Sequence, residues 1–134
     1  MDKIKVLLAE DDVSMVDLYT KAFEFSGYEI KSAANGEEAL SVIRENKFKP
    51  DMILLDFMMP KMNGMDVLRR LKQDQEFEYA KNVPVIMLTN LASLKNPDDL
   101  KTAISLGAAS YLIKSQYDPK EVVSKVGEIL KNHN

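Results

Sequence analysis

The chain has 134 residues, 46% hydrophobic and 29% charged, with a formal net charge of -3. That composition, on a length able to bury a core, excludes a disordered chain, and the acidic balance offers no field for a phosphate backbone, so nucleic-acid binding is not expected. The absence of cysteine excludes disulfides, thiolate zinc sites and thiol nucleophiles, and no stretch approaches the roughly 20 apolar residues of a membrane span.

Val6-Leu7-Leu8-Ala9 is an unbroken apolar run, the pattern of a strand buried on both faces. It ends in Glu10-Asp11-Asp12. Met15, Leu18, Tyr19, Ala22 and Phe23 then share one helical face, and Gly27 stands where a helix end needs a left-handed residue. Tyr28-Glu29-Ile30-Lys31-Ser32-Ala33 alternates, predicting an edge strand with one wet face. Asn35-Gly36-Glu37-Glu38 reads as a capped start for a helix facing inward through Ala39, Leu40 and Ile43. A second apolar run, Met52-Ile53-Leu54-Leu55, ends in Asp56 and precedes a helix marked by Met65, Leu68 and Leu71. Val85-Ile86-Met87-Leu88 ends in Thr89. Asn96-Pro97 predicts the start of the next helix, which carries Leu100, Ala103 and Ile104 and stops at Gly107. Tyr111-Leu112-Ile113 ends in Lys114, and Asp118-Pro119 opens a last helix with Val122, Val123, Val126, Ile129 and Leu130.

The order is (βα)₅ with short connections. Right-handed crossovers then impose a doubly wound parallel sheet with helices on both faces. In such sheets the functional site lies beyond the carboxyl ends of the strands. Glu10, Asp11, Asp56, Thr89 and Lys114 all fall on that edge. Each alone has an ordinary reading: a solvated helix start for the acidic run, a loop acid, a cap, a surface lysine. Together they crowd carboxylates into one crevice, where like charges cost stability unless a hard cation sits among them. Carboxylate and carbonyl oxygens without histidine or cysteine favour Mg²⁺ over zinc. A carboxylate beside Mg²⁺ can act as nucleophile toward a phosphoryl group, with a lysine and a threonine hydroxyl neutralising and bonding its oxygens.

These residues resemble the receiver domains of two-component response regulators, over essentially the whole chain. The acidic pair matches Glu10 and Asp11. Asp56-Phe57-Met58-Met59-Pro60-Lys61-Met62-Asn63-Gly64 is similar to the phosphorylation loop, and Thr89, Tyr111 and Lys114 match the switch hydroxyl, the switch aromatic and the lysine ending the fifth strand. The resemblance implies a flavodoxin-like three-layer α/β fold with a five-stranded sheet of order 2-1-3-4-5. It implies phosphorylation of Asp56 by a sensor histidine kinase or a histidine phosphotransfer protein. Mg²⁺ would be held by Glu10 (largely through water), Asp11, Asp56 and the backbone carbonyl of Met58. Lys114 would pair with Asp56 and then with the phosphoryl group, Thr89 would move to bond it, and Tyr111 would turn inward. Output would pass to a downstream protein through the fourth helix, fifth strand and fifth helix. The expectation is a single cytoplasmic receiver over residues 1–134, without an output domain: a phosphoacceptor switch and not an enzyme, contacting neither nucleic acid nor membrane.

Two positions and one loop depart from the family pattern. Ser115 follows Lys114 where members usually carry proline, often after a cis peptide bond; a cis bond before a non-proline residue costs about 2.5–4 kcal/mol, so strained cis and displaced trans are both open. Asn90 replaces a small residue after Thr89, and the loop from Leu91 to Pro97 is longer than in compact members. Met58 and Leu91, which in members flank the attacking water, are apolar here and imply a long-lived phosphorylated form. Met58, Met59, Met62 and Met65 surround the phosphorylation loop as adaptable packing and an exposed turn, and His133, in a polar tail, carries no chemical role.

Other readings have less support in the residues. A degenerate receiver acting as a phosphorylation-independent interaction module has no need of the intact set Glu10, Asp11, Asp56, Thr89 and Lys114. An aspartyl-nucleophile phosphatase needs a second acid two residues on, where Met58 stands. A flavodoxin-like cofactor carrier needs a phosphate loop rich in Ser, Thr and Gly, and none follows the first strand.

Overall fold

A computed structural model describes residues 2–133 apart from 91–93, 95 and 97 and the side chain of His133. The expectations placed on Leu91, Pro97 and the His133 side chain therefore lie outside the described residues.

Among the described residues, five strands and five helices alternate. The strands are β1 (Lys5–Ala9), β2 (Glu29–Ala33), β3 (Met52–Asp56), β4 (Val85–Thr89) and β5 (Ser110–Ile113). The helices are α1 (Val13–Phe25), α2 (Gly36–Glu45), α3 (Gly64–Gln73), α4 (Asp99–Leu106) and α5 (Pro119–His133), with 3₁₀ turns at Gln75–Ala80 and Lys114–Gln116. All strand pairs are parallel, in the order β2-β1-β3-β4-β5, as expected.

The apolar runs of β1, β3 and β4 are buried on both faces because each face has its own helical cover. The run of β5 departs from this expectation, since it lies at the sheet edge and buries only Leu112. Leu7, Ala9, Ile53, Leu55, Val85 and Met87 pack in one core with residues of α2 and α3. Val6, Leu8, Met52, Leu54, Ile86 and Leu88 pack in the other with Tyr19 and Phe23 of α1 and Val122 and Val126 of α5. Alternate side chains of one strand thus serve opposite layers. The edge strand β2 is wet over most of its length, as its alternation predicts.

Capping fixes where the helices begin, and so where the site loops end. Asn35 accepts a bond from the Glu38 amide at 2.9 Å. Asp118 accepts from Glu121 at 2.9 Å while the Glu121 carboxylate accepts from the Asp118 amide at 3.1 Å, a complete reciprocal box. The fourth helix differs from expectation. Asn96 accepts from the Asp98 amide at 2.9 Å, a turn that displaces the helix start to Asp99.

The sequence also gave no warning of the turn at Gln75–Ala80. It buries Phe77 completely, with the guanidinium groups of Arg44 and Arg70 each 5.6 Å from the ring. Glu76 pairs with both arginines, so one acid and one ring tie α2 to α3.

Candidate functional site

The chain order reverses at β1, which sends α1 to β2 on one side and meets β3 on the other. Loops leaving β1 and β3 must diverge there, and their first residues face one crevice. The Glu10 amide donates to the Ala33 carbonyl at 3.0 Å, holding this residue in sheet-like register one step past β1. Its side chain is only 1% exposed. Asp11 is exposed. Asp12 turns away to cap α1, accepting from the Ser14 and Met15 amides at 3.0 and 3.2 Å. The acidic run therefore divides its labour: two residues face the crevice and the third starts the helix.

Asp56 is the last residue of β3 and is 5% exposed. The Phe57 amide bonds the Leu88 carbonyl at 2.8 Å and the Gly64 amide bonds the Phe57 carbonyl at 3.1 Å, closing the loop back on the strand. Gly64 is required here by close approach: a β-carbon would run into the carbonyl oxygen of Asp56 and stand 3.0 Å from the Met87 side chain. One oxygen of Asp56 accepts from the Met58 amide at 3.2 Å, which brings the Met58 peptide to the rim of the site.

Lys114 follows β5 and closes the crevice from the other side. Its ammonium donates to Glu10 Oε1 at 2.5 Å and to Asp56 Oδ2 at 2.9 Å. Every peptide bond among the described residues is trans, that of Lys114–Ser115 included. The 3₁₀ turn at Lys114–Gln116 delivers the side chain without proline at position 115.

Burial raises Glu10 above the usual carboxylate range, Asp56 adds to this through a hydrogen bond and its charge, and Lys114 opposes it. Burial alone would lower the Lys114 ammonium, but its hydrogen bonds to Glu10 and Asp56 carry it above the ordinary lysine value. Lysine is thus held charged between two acids.

Carboxylate oxygens of Glu10, Asp11 and Asp56 all lie within 4.8 Å of one another. Three carboxylates against one ammonium leave a formal double negative charge, which a divalent cation would cancel. The donors are oxygens only, and the exposed Asp11 leaves a path in from solvent. The residues present therefore fit Mg²⁺ in donor type, charge and access.

Thr89 ends β4, fully buried, with its hydroxyl 3.4 Å from the Asn90 carbonyl that it donates to. Tyr111, expected to turn inward in the phosphorylated state, is 40% exposed here, beside Leu100, Lys101 and Ile104 in a groove between α4 and β5. The structure thus gathers Glu10, Asp11, Asp56 and Lys114 directly, sets Thr89 at the same sheet edge, and leaves Tyr111 outside. Met59 and Met65 are buried and Met58 is exposed, so the methionines divide between packing and the open turn.

Comparison with known proteins agrees with this fold. The family model described as response regulator receiver domain matches residues 6–127. The chain is 34% identical over 131 residues to a probable transcriptional regulator, ycf27, of Porphyridium aerugineum, covering 98% of this chain and 50% of that protein. It is 32% identical over 130 residues to the DNA-binding response regulator MtrA of Mycolicibacterium paratuberculosis, covering 97% of this chain and 52% of that one. The chain spans about half the length of these curated relatives. Among solved structures, the receiver domain of the Francisella response regulator 1452 superposes with a TM-score of 0.80 at 29% identity, over 98% of this chain and 100% of that one. Among the described residues no helix is long and apolar enough to cross a membrane.

Proposed function

This chain belongs to the response regulator receiver domain family of two-component systems, and from that membership we propose that it is a switch set by phosphorylation of Asp56. The observation that carries this reading is the Lys114 ammonium shared between Asp56 and Glu10 inside a three-carboxylate crevice. A buried lysine–carboxylate pair can be purely structural. One with an extra buried acid, a solvent path and a net charge suited to a divalent cation is poised for phosphoryl chemistry.

The phosphodonor is the phosphohistidine of a sensor histidine kinase or of a histidine phosphotransfer protein. Asp56 Oδ attacks phosphorus, the P–N bond to imidazole breaks, and the imidazole leaves with the electron pair and takes up a proton. Mg²⁺, when bound by Glu10, Asp11, Asp56 and the Met58 carbonyl, supplies neutralisation of charge on the phosphoryl oxygens. Lys114 follows the charge from the Asp56 carboxylate to the phosphoryl group. Thr89 turns its hydroxyl from the Asn90 carbonyl toward a phosphoryl oxygen, vacating space that Tyr111 enters. That motion reshapes α4, β5 and α5, the surface read by a downstream protein. The protein is itself the modified component and turns over no external substrate.

The test is intact-mass spectrometry after incubation with Mg²⁺ and either acetyl phosphate or a phosphorylated histidine kinase domain. One phosphoryl adduct is expected on the wild type and none on Asp56→Ala or with EDTA. An adduct that survives Asp56→Ala would overturn the assignment.

A further inference from the structure

Oxidation chemistry on this chain has few places to act. There is no cysteine and there are 8 methionines, so a peroxide meets thioethers and no thiols. Met52 and Met87 have no exposed surface, and Met59 and Met65 are 8% and 9% exposed. Met15 and Met62 are partly covered, each packed against one of the two cores. Among the described methionines only Met58 is exposed, at 40%. It lines an open groove of about 360 Å³ between the loop after β3, α3 and α4, wide enough for a peroxide to enter. Susceptibility to oxidation follows exposure. The place of this residue matters as much. Its amide donates to Asp56 Oδ1 at 3.2 Å, so its side chain springs from the rim of the acidic crevice.

We propose that Met58 is a peroxide-modification site through which oxidation shortens the lifetime of phosphorylated Asp56; the inference rests on Asp56 being the phosphoacceptor. The sulfur lone pair attacks one peroxide oxygen, the O–O bond breaks and an S–O bond forms. The second oxygen leaves with the bonding pair and takes up the proton shed by the first, giving water from hydrogen peroxide or an alcohol from an organic peroxide. Sulfur is oxidised to the sulfoxide and the peroxide is reduced. The product changes what the rim offers to water. A thioether is a weak acceptor, whereas the sulfoxide is polar and its oxygen accepts strongly. An acyl phosphate is lost when water attacks phosphorus, and that water must be oriented and give up a proton. A sulfoxide beside Asp56 accepts a hydrogen bond from that water and holds it; the thioether does not. The side chain that protects the phosphoryl group when reduced thus hastens its loss when oxidised. Peroxide is uncharged, so the negative crevice does not repel it, and sulfoxide reductases reverse the change.

The experiment treats wild type and Met58→Leu with hydrogen peroxide and maps the oxidised methionines by peptide mass. Decay of the adduct formed with acetyl phosphate and Mg²⁺ is then followed by intact mass. Met58 is expected to be converted before Met15 and Met62, with Met52, Met59, Met65 and Met87 spared. At the dose that converts Met58, the lifetime is expected to fall about tenfold, the worth of one hydrogen bond to the attacking water. Methionine sulfoxide reductases are expected to restore it. In Met58→Leu the treated and untreated lifetimes are expected to be equal, whatever their value. Oxidation of Met15 or Met62 ahead of Met58 overturns the proposal. So does an unchanged lifetime in protein oxidised at Met58, a shortening that the reductases do not reverse, or an equal shortening in Met58→Leu. If the untreated wild type takes up no phosphoryl group, the reading of Asp56 fails and the proposal with it; normal uptake with an unmoved lifetime overturns the proposal alone.

Discussion

Lys114→Met keeps the reach of the side chain but deletes the ammonium that Glu10 and Asp56 share. Both acids are nearly buried, with side chains 1% and 8% exposed, and their oxygens lie within 4.8 Å of each other. Two unit charges at 4.8 Å in an effective dielectric of ~20 repel by about 3.5 kcal/mol. In the wild type the ammonium cancels that repulsion; in the variant nothing does. Urea unfolding at pH 8, where protonation gives little relief, is therefore expected to show the metal-free variant less stable by about 3 kcal/mol, the range found for breaking a buried pair. The same argument has a second consequence. Ammonium and Mg²⁺ neutralise the same acids, so the variant should bind Mg²⁺ more tightly and recover most of its deficit when the ion is added. In wild type, Mg²⁺ at ten times its dissociation constant adds about 1.4 kcal/mol by linkage, and Asp11→Ala should abolish the response in either background. A Lys114→Met protein as stable as wild type in EDTA, or one whose Mg²⁺ response is no larger, would refute this electrostatic account.

Other consequences are separately measurable. In metal-free protein Glu10 is held above the usual 4.5, chiefly by burial; the native state then keeps a proton that the unfolded chain has released. Stability should therefore fall as pH rises from 4.5 through the raised folded value, and Glu10→Gln should flatten that fall in EDTA-containing urea titrations. Gly64→Ala drives a β-carbon against the Asp56 carbonyl oxygen; a loss of about 2 kcal/mol in thermal unfolding is expected from the overpacking, with slower phosphoryl uptake, and a neutral result would deny the close approach. The phosphorylated form should persist for minutes at neutral pH, because the exposed thioether of Met58 gives an attacking water no strong hydrogen-bonding group. A lifetime of seconds, followed by intact mass, would contradict this.

Much of the fold was legible because its cause is local. Three apolar runs without alternation are strands covered on both faces, whereas the fourth, Tyr111-Leu112-Ile113, forms the edge strand β5 with only Leu112 buried. The alternation of strands and helices indicated a doubly wound parallel sheet, and the family resemblance supplied its strand order. The site was legible for a related reason, since Glu10, Asp56, Thr89 and Lys114 stand one residue past, or at the end of, those runs. What escaped depends on distant partners. Phe77 is buried in a turn with no periodicity, and its place is set by Arg44 and Arg70, far off in the chain. The start of α4 moved because the Asn96 side chain closed a turn instead of capping the helix. The backbone after Lys114 was open in the sequence, because proline and serine at position 115 permit different bonds; the observed trans turn still brings the ammonium to both acids.

The central claim is that the phosphoryl group resides on Asp56, and borohydride trapping tests it most directly. An aspartyl phosphate is an acyl phosphate, which borohydride reduces to the alcohol, homoserine; a free carboxylate is left untouched. Protein treated with acetyl phosphate and Mg²⁺, reduced and digested, should yield the peptide across Met52–Asp56 with its terminal aspartate converted to homoserine, and no such product without donor. Conversion at Asp11 or Asp12 instead, or none anywhere in protein that carries a phosphoryl adduct by mass, would contradict the account.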